Sequence, residues 1–173
     1  MIRNLTQIQS EFVDREAIRD CLYRYCRGID RCDMEILRSA YWPDAIDDHA
    51  GSQAGIEEFI AWAEPRLRGI QHTVHMIGNI LIKLEGHTAA VESYVWSATV
   101  TSHPTREIVT AGRYLDRFER RVDEWRIAAR SFVHDWFHES TETGDLSVAP
   151  SRTKTIEVGA FRPHDRSYTW LGL

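Results

Sequence analysis

Apolar residues in the first part of the chain repeat with the spacing of an α-helix. From about Ser10 to Asp30 they follow the i, i+3, i+4, i+7, i+11 pattern of one buried stripe, made by Ile18, Cys21, Leu22, Tyr25 and Ile29. The polar run that follows Gly28 predicts that this helix ends near Asp30.

The rest of the pattern predicts two further helices and then long strands. The predicted segments are, in chain order, a helix over Asp33–Ala40, a short strand over Ala45–Ala50, a loop over Gly51–Gly55, a helix over Ile56–Leu67, and strands over Gln71–Leu84, Ala89–Ser102, Arg106–Arg120 and Glu124–His138. Three helices before four strands joined by short turns indicate an α+β fold, in which helices cover one face of an antiparallel sheet.

The last predicted strand is apolar on both faces. Strict alternation places Trp125, Ile127, Ala129 and Val133 on one face, and Ala128, Phe132 and Trp136 on the other. A sheet of this kind needs two covers, and the helices can supply only one. A second subunit is the simplest second cover, so we expect a homo-oligomer.

The chain of 173 residues fits one domain over residues 1–138 and a tail over 139–173. The tail begins polar and ends with large apolar side chains at Phe161, Tyr168, Trp170 and Leu171. We expect it to dock either on the pocket of its own chain or on a neighbouring subunit.

The net charge and the shortness of the apolar runs limit the kinds of partner that we expect for this chain. Lys and Arg number 21 against 26 Asp and Glu, a net charge of −5 without basic blocks, which argues against nucleic acid or an anionic membrane as the main partner. No run approaches the roughly 20 apolar residues of a membrane helix, and the N-terminus lacks an apolar signal core. We expect a cytoplasmic protein whose three cysteines, Cys21, Cys26 and Cys32, are buried thiols.

No phosphate-binding loop, nucleophile elbow or zinc-protease motif is present, so the candidate chemistry rests on histidines and carboxylates. His72 and His75 point to opposite faces of their strand, and one of them should face the helices, either as a hydrogen-bonded core histidine or as a catalytic one. Asp30 sits at a helix C-terminus, where the helix dipole opposes its charge, and a nearby histidine would explain its position.

Three other groups have alternative interpretations. Tyr25 is either a core aromatic residue whose hydroxyl reaches a partner or a site residue. Arg130, in an otherwise apolar strand, needs an anion and is either half of a structural ion pair or part of a site. His49 is either an exposed histidine or part of a pocket mouth.

A metal site is the weakest candidate. His134 and His138 are predicted to share a strand face, with Asp135 between them, and together they form a loose ligand set. The spacing is poor for a metal, and we expect none.

Several segments resemble SnoaL-like proteins of the nuclear transport factor 2-like superfamily. They are Asp14-Arg15-Glu16-Ala17-Ile18-Arg19-Asp20, Tyr23-Arg24-Tyr25-Cys26-Arg27-Gly28-Ile29-Asp30, Tyr41-Trp42-Pro43-Asp44-Ala45, His72-Thr73-Val74-His75-Met76-Ile77-Gly78-Asn79, and Tyr114-Leu115-Asp116-Arg117-Phe118-Glu119-Arg120-Arg121 with Glu124-Trp125-Arg126-Ile127. The resemblance covers about residues 10–138. Within the superfamily the chain is most similar to the branch of scytalone dehydratase, bile-acid 7α-dehydratase and hexachlorocyclohexane dehydrochlorinase.

The resemblance implies a cystatin-like cone, in which the helices pack on a strongly curved sheet. It also implies an Asp–His dyad that works without metal or organic cofactor. The catalytic residues carried over are His75, Asp30, Tyr25 and Arg130, and the expected substrate-binding residues are His49, Tyr41, Trp96, Phe132 and His134. The chain departs from the dehydratases at His49, where they carry a second pocket tyrosine. The similar dehydratases are trimers, so a trimer is expected ahead of a dimer.

The sequence therefore predicts a cofactor-independent lyase. The expected reaction is a dehydratase-type elimination on a bulky hydrophobic hydroxylated substrate: a steroid, a polyketide or a lignin-derived aromatic compound. A ketosteroid-isomerase-like proton transfer, a formaldehyde lyase acting on lignin-type dimers and a non-enzymatic binding protein are the alternatives.

Overall fold

The computed structural model describes residues 4–49, 51–102, 104–141 and 159–172. Within these ranges the elements are, in order, α1 (Leu5–Asp30), α2 (Met34–Ser39), β1 (Tyr41–His49), β2 (Ser52–Gly55), α3 (Ile56–Arg68), β3 (Ile70–Glu85), β4 (Thr88–Ser102), β5 (Thr105–Arg121), β6 (Glu124–Ser140) and α4 (Arg166–Leu171). The helices α1 and α3 pack on one curved sheet, which confirms the predicted α+β class.

Helix α1 begins five residues earlier than the apolar pattern indicates. Asn4 accepts a hydrogen bond from the backbone N–H of Gln7 (2.8 Å) and donates its own backbone N–H to the Gln7 side chain (3.2 Å). This reciprocal cap starts a helix without any buried stripe. The stripe itself begins only where α1 reaches the sheet.

A close approach of backbones fixes the end of α1. A Cβ on Gly28 would lie 2.7 Å from the backbone nitrogen of Leu37, so only glycine allows α2 to fold back over this turn. Asp33 caps α2 by accepting from the backbone N–H of Ile36 (3.2 Å). The fold-back leaves Asp30 buried, at 8% exposure, and directed toward the sheet.

The sheet has the strand order β2-β1-β6-β5-β4-β3, with β1 parallel to β6 and every other pair antiparallel. The predicted loop at Gly51–Gly55 is wrong, because Ser52–Gly55 forms β2 beside β1. Strand β1 also begins at Tyr41, four residues earlier than predicted. The pairing of Tyr41 with Ile127 extends it, and local sequence carries no signal for a pairing so distant in the chain.

The predicted alternation in β6 is wrong beyond Ile127. Arg117 pairs with Ala129 while its neighbour Phe118 pairs with Ile127, so Ala128 is an extra, bulged residue. A one-residue insertion exchanges the two faces downstream of it. Trp125 and Ile127 therefore face the helices together with Arg130, Phe132 and His134, as the contacts of these side chains with α1 and with the cavity below it show.

The outer face of the sheet carries large, partly exposed apolar side chains. They are Ile46, Val74, Met76, Leu81, Tyr94, Trp96, Leu115 and Trp136. This is the apolar surface on which the expectation of a homo-oligomer rests, and the assembly stays a prediction.

The three cysteines are buried free thiols, as predicted. Burial raises the pKa of Cys21 to about 11 and that of Cys26 to about 12, so both remain protonated near neutral pH. They belong to the core, where α1 packs on the sheet.

The described end of the tail docks on the α1–α2 turn of its own chain. Tyr168, in α4, donates its hydroxyl to Asp33 (2.7 Å), and Arg162 binds the same carboxylate (2.9 Å). None of the tail residues 159–172 lines the cavity described below, and the expectation that the tail docks on its own pocket or on a neighbouring subunit stays a prediction. The tail prediction for residues 142–158 and 173 falls outside the described residues.

Among the described helices, none is long and apolar enough to cross a membrane.

Candidate active site

A cavity of about 290 Å³ lies between the concave face of the sheet and the helices α1 and α3. Its wall is mostly apolar and aromatic, with contributions from Ile29, Phe59, Trp62, Leu67, Val95, Tyr114 and Phe132. Three histidines interrupt this surface: His49, His75 and His134. Among the described lining residues there is no Asp or Glu, so imidazoles are the strongest bases that face the interior.

The first histidine is held by the carboxylate that ends α1. The His75 Nδ1 donates to one oxygen of Asp30 (2.6 Å), and the His75 backbone N–H donates to the other (2.9 Å). Because a carboxylate only accepts, Nδ1 carries the proton and Nε2 is the nitrogen left for the cavity. The two hydrogen bonds explain how an Asp is accommodated at a helix C-terminus.

A second histidine–carboxylate pair lies on β1. His49 Nδ1 hydrogen-bonds one oxygen of Asp47, and Tyr41 donates its hydroxyl to the other oxygen (2.5 Å). Asp47 is buried, at 1% exposure. Strand alternation places Asp47 and His49 on the same face, which is the face that looks into the cavity.

Aromatic rings fix the plane of the second imidazole. His49 stacks on Phe59, with ring centroids 5.1 Å apart, and on Phe132 at 5.6 Å. Its Nε2 lies 3.4 Å from the Tyr25 hydroxyl oxygen. Burial raises the pKa of Tyr25 well above its ordinary value, so the phenol keeps its proton and serves as a hydrogen-bond donor.

Arg130 lies behind this wall. It forms two hydrogen bonds of 2.7 Å with Asp116, and both side chains are fully buried. The guanidinium lies over the rings of Tyr25 (4.1 Å) and Tyr114 (3.9 Å). Although burial disfavours the cation, the charge of Asp116 raises the pKa of Arg130 well above its usual value. Arg130 is therefore a buried cation that supports two cavity tyrosines.

The structure brings together most, but not all, of the predicted site residues. Asp30 reaches the site through His75, and the cavity is lined by Tyr25, His49, His75, Phe132 and His134. The other three lie elsewhere. Tyr41 lies behind Asp47, Arg130 lies behind the tyrosines, and Trp96 is on the outer face, 41% exposed, because Val95 and Ser97 are the neighbours that point inward. Trp96 therefore does not belong to the site, and the roles of the other predicted site residues stay predictions.

The prediction that His134 and His138 share one face of their strand is wrong. His134 pairs with Gly112 and Trp136 with Ala111, so Asp135 is a second bulged residue. His134 faces the cavity, whereas His138 stacks on Trp136 on the outer face. Within the described residues there is no group of three His, Cys, Asp or Glu that could hold a metal ion.

Sequence reasoning missed several residues of the site. Asp47 could have been found from its i, i+2 relation to His49 on β1. Tyr114 and Asp116 have the same i, i+2 relation to each other on β5, where they pair with Phe132 and Arg130 of β6. Phe59 and Trp62 were assigned only to a helix, and nothing in that helix distinguishes cavity wall from core.

Comparison with known proteins finds relatives of this chain by sequence. Uncharacterised proteins of Mycobacterium tuberculosis and Mycobacterium bovis are 27% identical over 125 residues, which cover 70% of this chain and 85% of theirs.

Solved structures share the fold. A hexachlorocyclohexane dehydrochlorinase (LinA, type 2) superposes with a TM-score of 0.70 at 20% identity, covering 75% of this chain and 90% of that one. A protein of Novosphingobium aromaticivorans, named as a candidate scytalone dehydratase, gives a TM-score of 0.70 at 18% identity, over 92% and 98% of the two chains. The SnoaL-like domain profile matches residues 10–131, and the chain belongs to the SnoaL-like family.

Proposed function

We propose that this protein is a cofactor-independent lyase that eliminates water from a hydrophobic hydroxylated substrate, with His75 as the base. The observation that carries the proposal is the Asp30–His75 pair in the wall of an apolar cavity, where Asp30 binds Nδ1 and not Nε2. Two of the fold neighbours are named for eliminations, which supports the same reaction class.

The pair is suited to proton abstraction from carbon. Asp30 holds Nδ1–H, so Nε2 presents a lone pair in a fixed direction. When Nε2 takes the proton, the carboxylate stabilises the imidazolium that forms. An adjacent carbonyl acidifies the C–H bond that an imidazole has to break, so we expect the substrate to carry a carbonyl next to the carbon that loses its proton.

Tyr25 and Arg130 support the charge that develops on oxygen. Tyr25 lines the cavity and keeps its proton, so it can donate to a carbonyl or hydroxyl oxygen of the substrate. Arg130 does not line the cavity, and we assign it a positioning role through the rings of Tyr25 and Tyr114.

The cavity volume narrows the substrate class. A protein cavity of roughly 150 Å³ accepts benzene, so a volume of about 290 Å³ suits a compound of one or two rings better than a four-ring steroid. The mostly apolar wall favours an aromatic body, and its hydroxyls and imidazoles favour a few oxygen substituents.

A proton-transfer isomerase of the ketosteroid-isomerase type would use a different base. The ketosteroid-isomerase alternative relies on a carboxylate base, and no Asp or Glu occurs among the described residues that line the cavity. Dehydration is therefore the better-supported reaction.

One probe separates the remaining alternatives. The aldol adduct of 4-nitrobenzaldehyde and acetone, which we call the hydroxy probe, yields the conjugated enone if water is eliminated and 4-nitrobenzaldehyde if a carbon–carbon bond is cleaved. We expect the enone from the wild-type protein and a loss of about 10²–10⁴-fold in its rate of formation for His75→Gln. Equal rates for the two proteins, or aldehyde as the product, would contradict the proposal.

A further inference from the structure

We propose that Asp47 and His49 form a second acid–base group, which protonates the leaving hydroxyl while His75 removes the proton from carbon. The inference rests on the proposed lyase function and deepens it. It assigns the substrate to the β-hydroxy carbonyl compounds, whose leaving oxygen needs a proton, rather than to the halides.

The first support is the way Asp47 is held. It is buried, and both of its oxygens are used, one by Tyr41 and one by His49 Nδ1. A buried carboxylate in this position fixes the imidazole orientation and balances the charge of an imidazolium. The other nitrogen, Nε2, lies 3.4 Å from the hydroxyl oxygen of Tyr25, and both residues line the cavity.

The second support is a comparison within the same cavity. His134 also lines the wall and contacts Phe132 (ring centroids 4.2 Å apart), but in the described parts of the chain it has no carboxylate partner. His49 has a carboxylate on one side and stacks on two aromatic rings. An imidazole that served only as polar lining would need neither arrangement.

In the proposed elimination the Asp47–His49 pair supplies the proton that the leaving oxygen needs. His75 Nε2 takes the proton from the carbon next to the carbonyl, and the electrons of that C–H bond form the new C=C bond. The C–O bond breaks, and His49 Nε2–H transfers its proton to the departing oxygen, which leaves as water. Solvent then returns a proton to His49 and accepts the proton from His75. One substrate molecule therefore gives one enone and one water. Chloride or a phenoxide leaves as a stable anion and needs no such donor.

Tyr25 is less suited to supply this proton. Burial raises its pKa well above the ordinary value, which makes the phenol a weaker acid than an imidazolium. Its hydroxyl lies 3.4 Å from His49 Nε2 and can orient the donor and the leaving oxygen together.

Two isomeric probes test the assignment. The hydroxy probe loses water, and its isomer, the 4-nitrophenyl ether of 4-hydroxybutan-2-one, loses 4-nitrophenoxide and is called the ether probe. Both are turned over by wild-type protein, His49→Gln, His49→Phe and His75→Gln, with a thiol present to trap the vinyl ketone product. His49→Phe keeps the aromatic stack if glutamine disturbs folding. His138→Gln, on the outer face, is the matched control.

We expect both His49 variants to lose about 10²–10⁴-fold on the hydroxy probe and a much smaller factor on the ether probe. His75→Gln should lose both activities, and His138→Gln neither. An equal loss on both probes for the His49 variants, or no loss on either, overturns the acid role and leaves the proposed lyase standing. Wild-type protein that turns over neither probe, or a His75→Gln that keeps both activities, overturns the proposed function and the inference with it.

Discussion

The two histidine–aspartate pairs reach one cavity from opposite ends of the sheet. His49 lies on β1 and His75 on β3, and the strands β6, β5 and β4 separate them in the sheet order. Both can line one small cavity only because the sheet curves around α1 and α3. Their partners differ in origin: Asp47 is two residues from His49 on one strand, whereas Asp30 is 45 residues from His75 on another element.

This difference teaches what each pair depends on. The Asp47–His49 pair is set by strand alternation and by packing around β1, so it tolerates small helix movements. The Asp30–His75 pair exists only if α1 ends at the right place relative to β3. That end is fixed by the approach of Leu37 to Gly28 and by the tail that docks on Asp33.

The largest effect should follow from breaking the long-range pair. Asp30→Asn replaces an acceptor-only carboxylate with an amide, which can stabilise the wrong tautomer of His75 and cannot balance its charge. We expect a loss of roughly 10³–10⁴-fold in turnover of both the hydroxy and the ether probe. Asp20→Asn, at an exposed position of the same helix, is the control and should match wild type. Asp30→Asn with full activity would show that the pair is structural.

Arg130→Met should have the next largest effect, on stability. It leaves Asp116 buried without its partner, a change that costs about 3–5 kcal/mol in the free energy of unfolding. Urea unfolding measures the loss. The double variant Arg130→Met with Asp116→Leu removes both charges and should recover most of the stability. If the double variant is no more stable than the single one, the cost lies in packing against the tyrosines.

Asp47→Asn sharpens the comparison between the pairs. Its amide leaves His49 in place but balances an imidazolium poorly, so we expect about a 10²-fold loss on the hydroxy probe and little change on the ether probe. The measurement is the rate of each variant on each probe, because Asp30→Asn should lose activity on both probes and Asp47→Asn only on the hydroxy probe. Losses on both probes would mean that β1 as a whole has been disturbed, and circular dichroism and thermal unfolding of the variant would show it.

The smallest effect should come from the tail. Tyr168→Phe removes a buried hydrogen bond to Asp33 and should lower the free energy of unfolding by about 1 kcal/mol. Because Asp33 lies at the end of the short turn between α1 and α2, any change in turnover should appear equally with both probes, as a change at His75 would. Tyr23→Phe, on an exposed part of α1, is the matched control. A stability equal to wild type would mean that the tail contact contributes nothing to the fold.

The local pattern predicts most of the elements well. The stripe of α1, the third helix and the four long strands follow from periodicity, because burial on one face leaves a repeat that local sequence displays. The second pair was within reach too, since two residues on one strand face lie together in any tertiary arrangement. The position of Asp30 at a helix C-terminus suggested a histidine partner, but only the resemblance to a family identified His75, because nothing in the chain between them indicates their contact.

Only the tertiary structure decided which side of the wall each residue occupies. The bulges at Ala128 and Asp135 exchange the faces of β6, and they depend on pairing with β5, which the sequence of β6 does not display. The bulge at Ala128 brings Arg130 to the helix-facing side, where it lies on Asp116 behind the cavity, and the bulge at Asp135 places His138 on the outer face. Trp96 is outside for a simpler reason, because alternation gives one strand two equivalent faces and only packing against the helices selects the inner one. The sequence by itself determined most of the elements, and the distant strand pairings determined β2, the faces of β6 and the site.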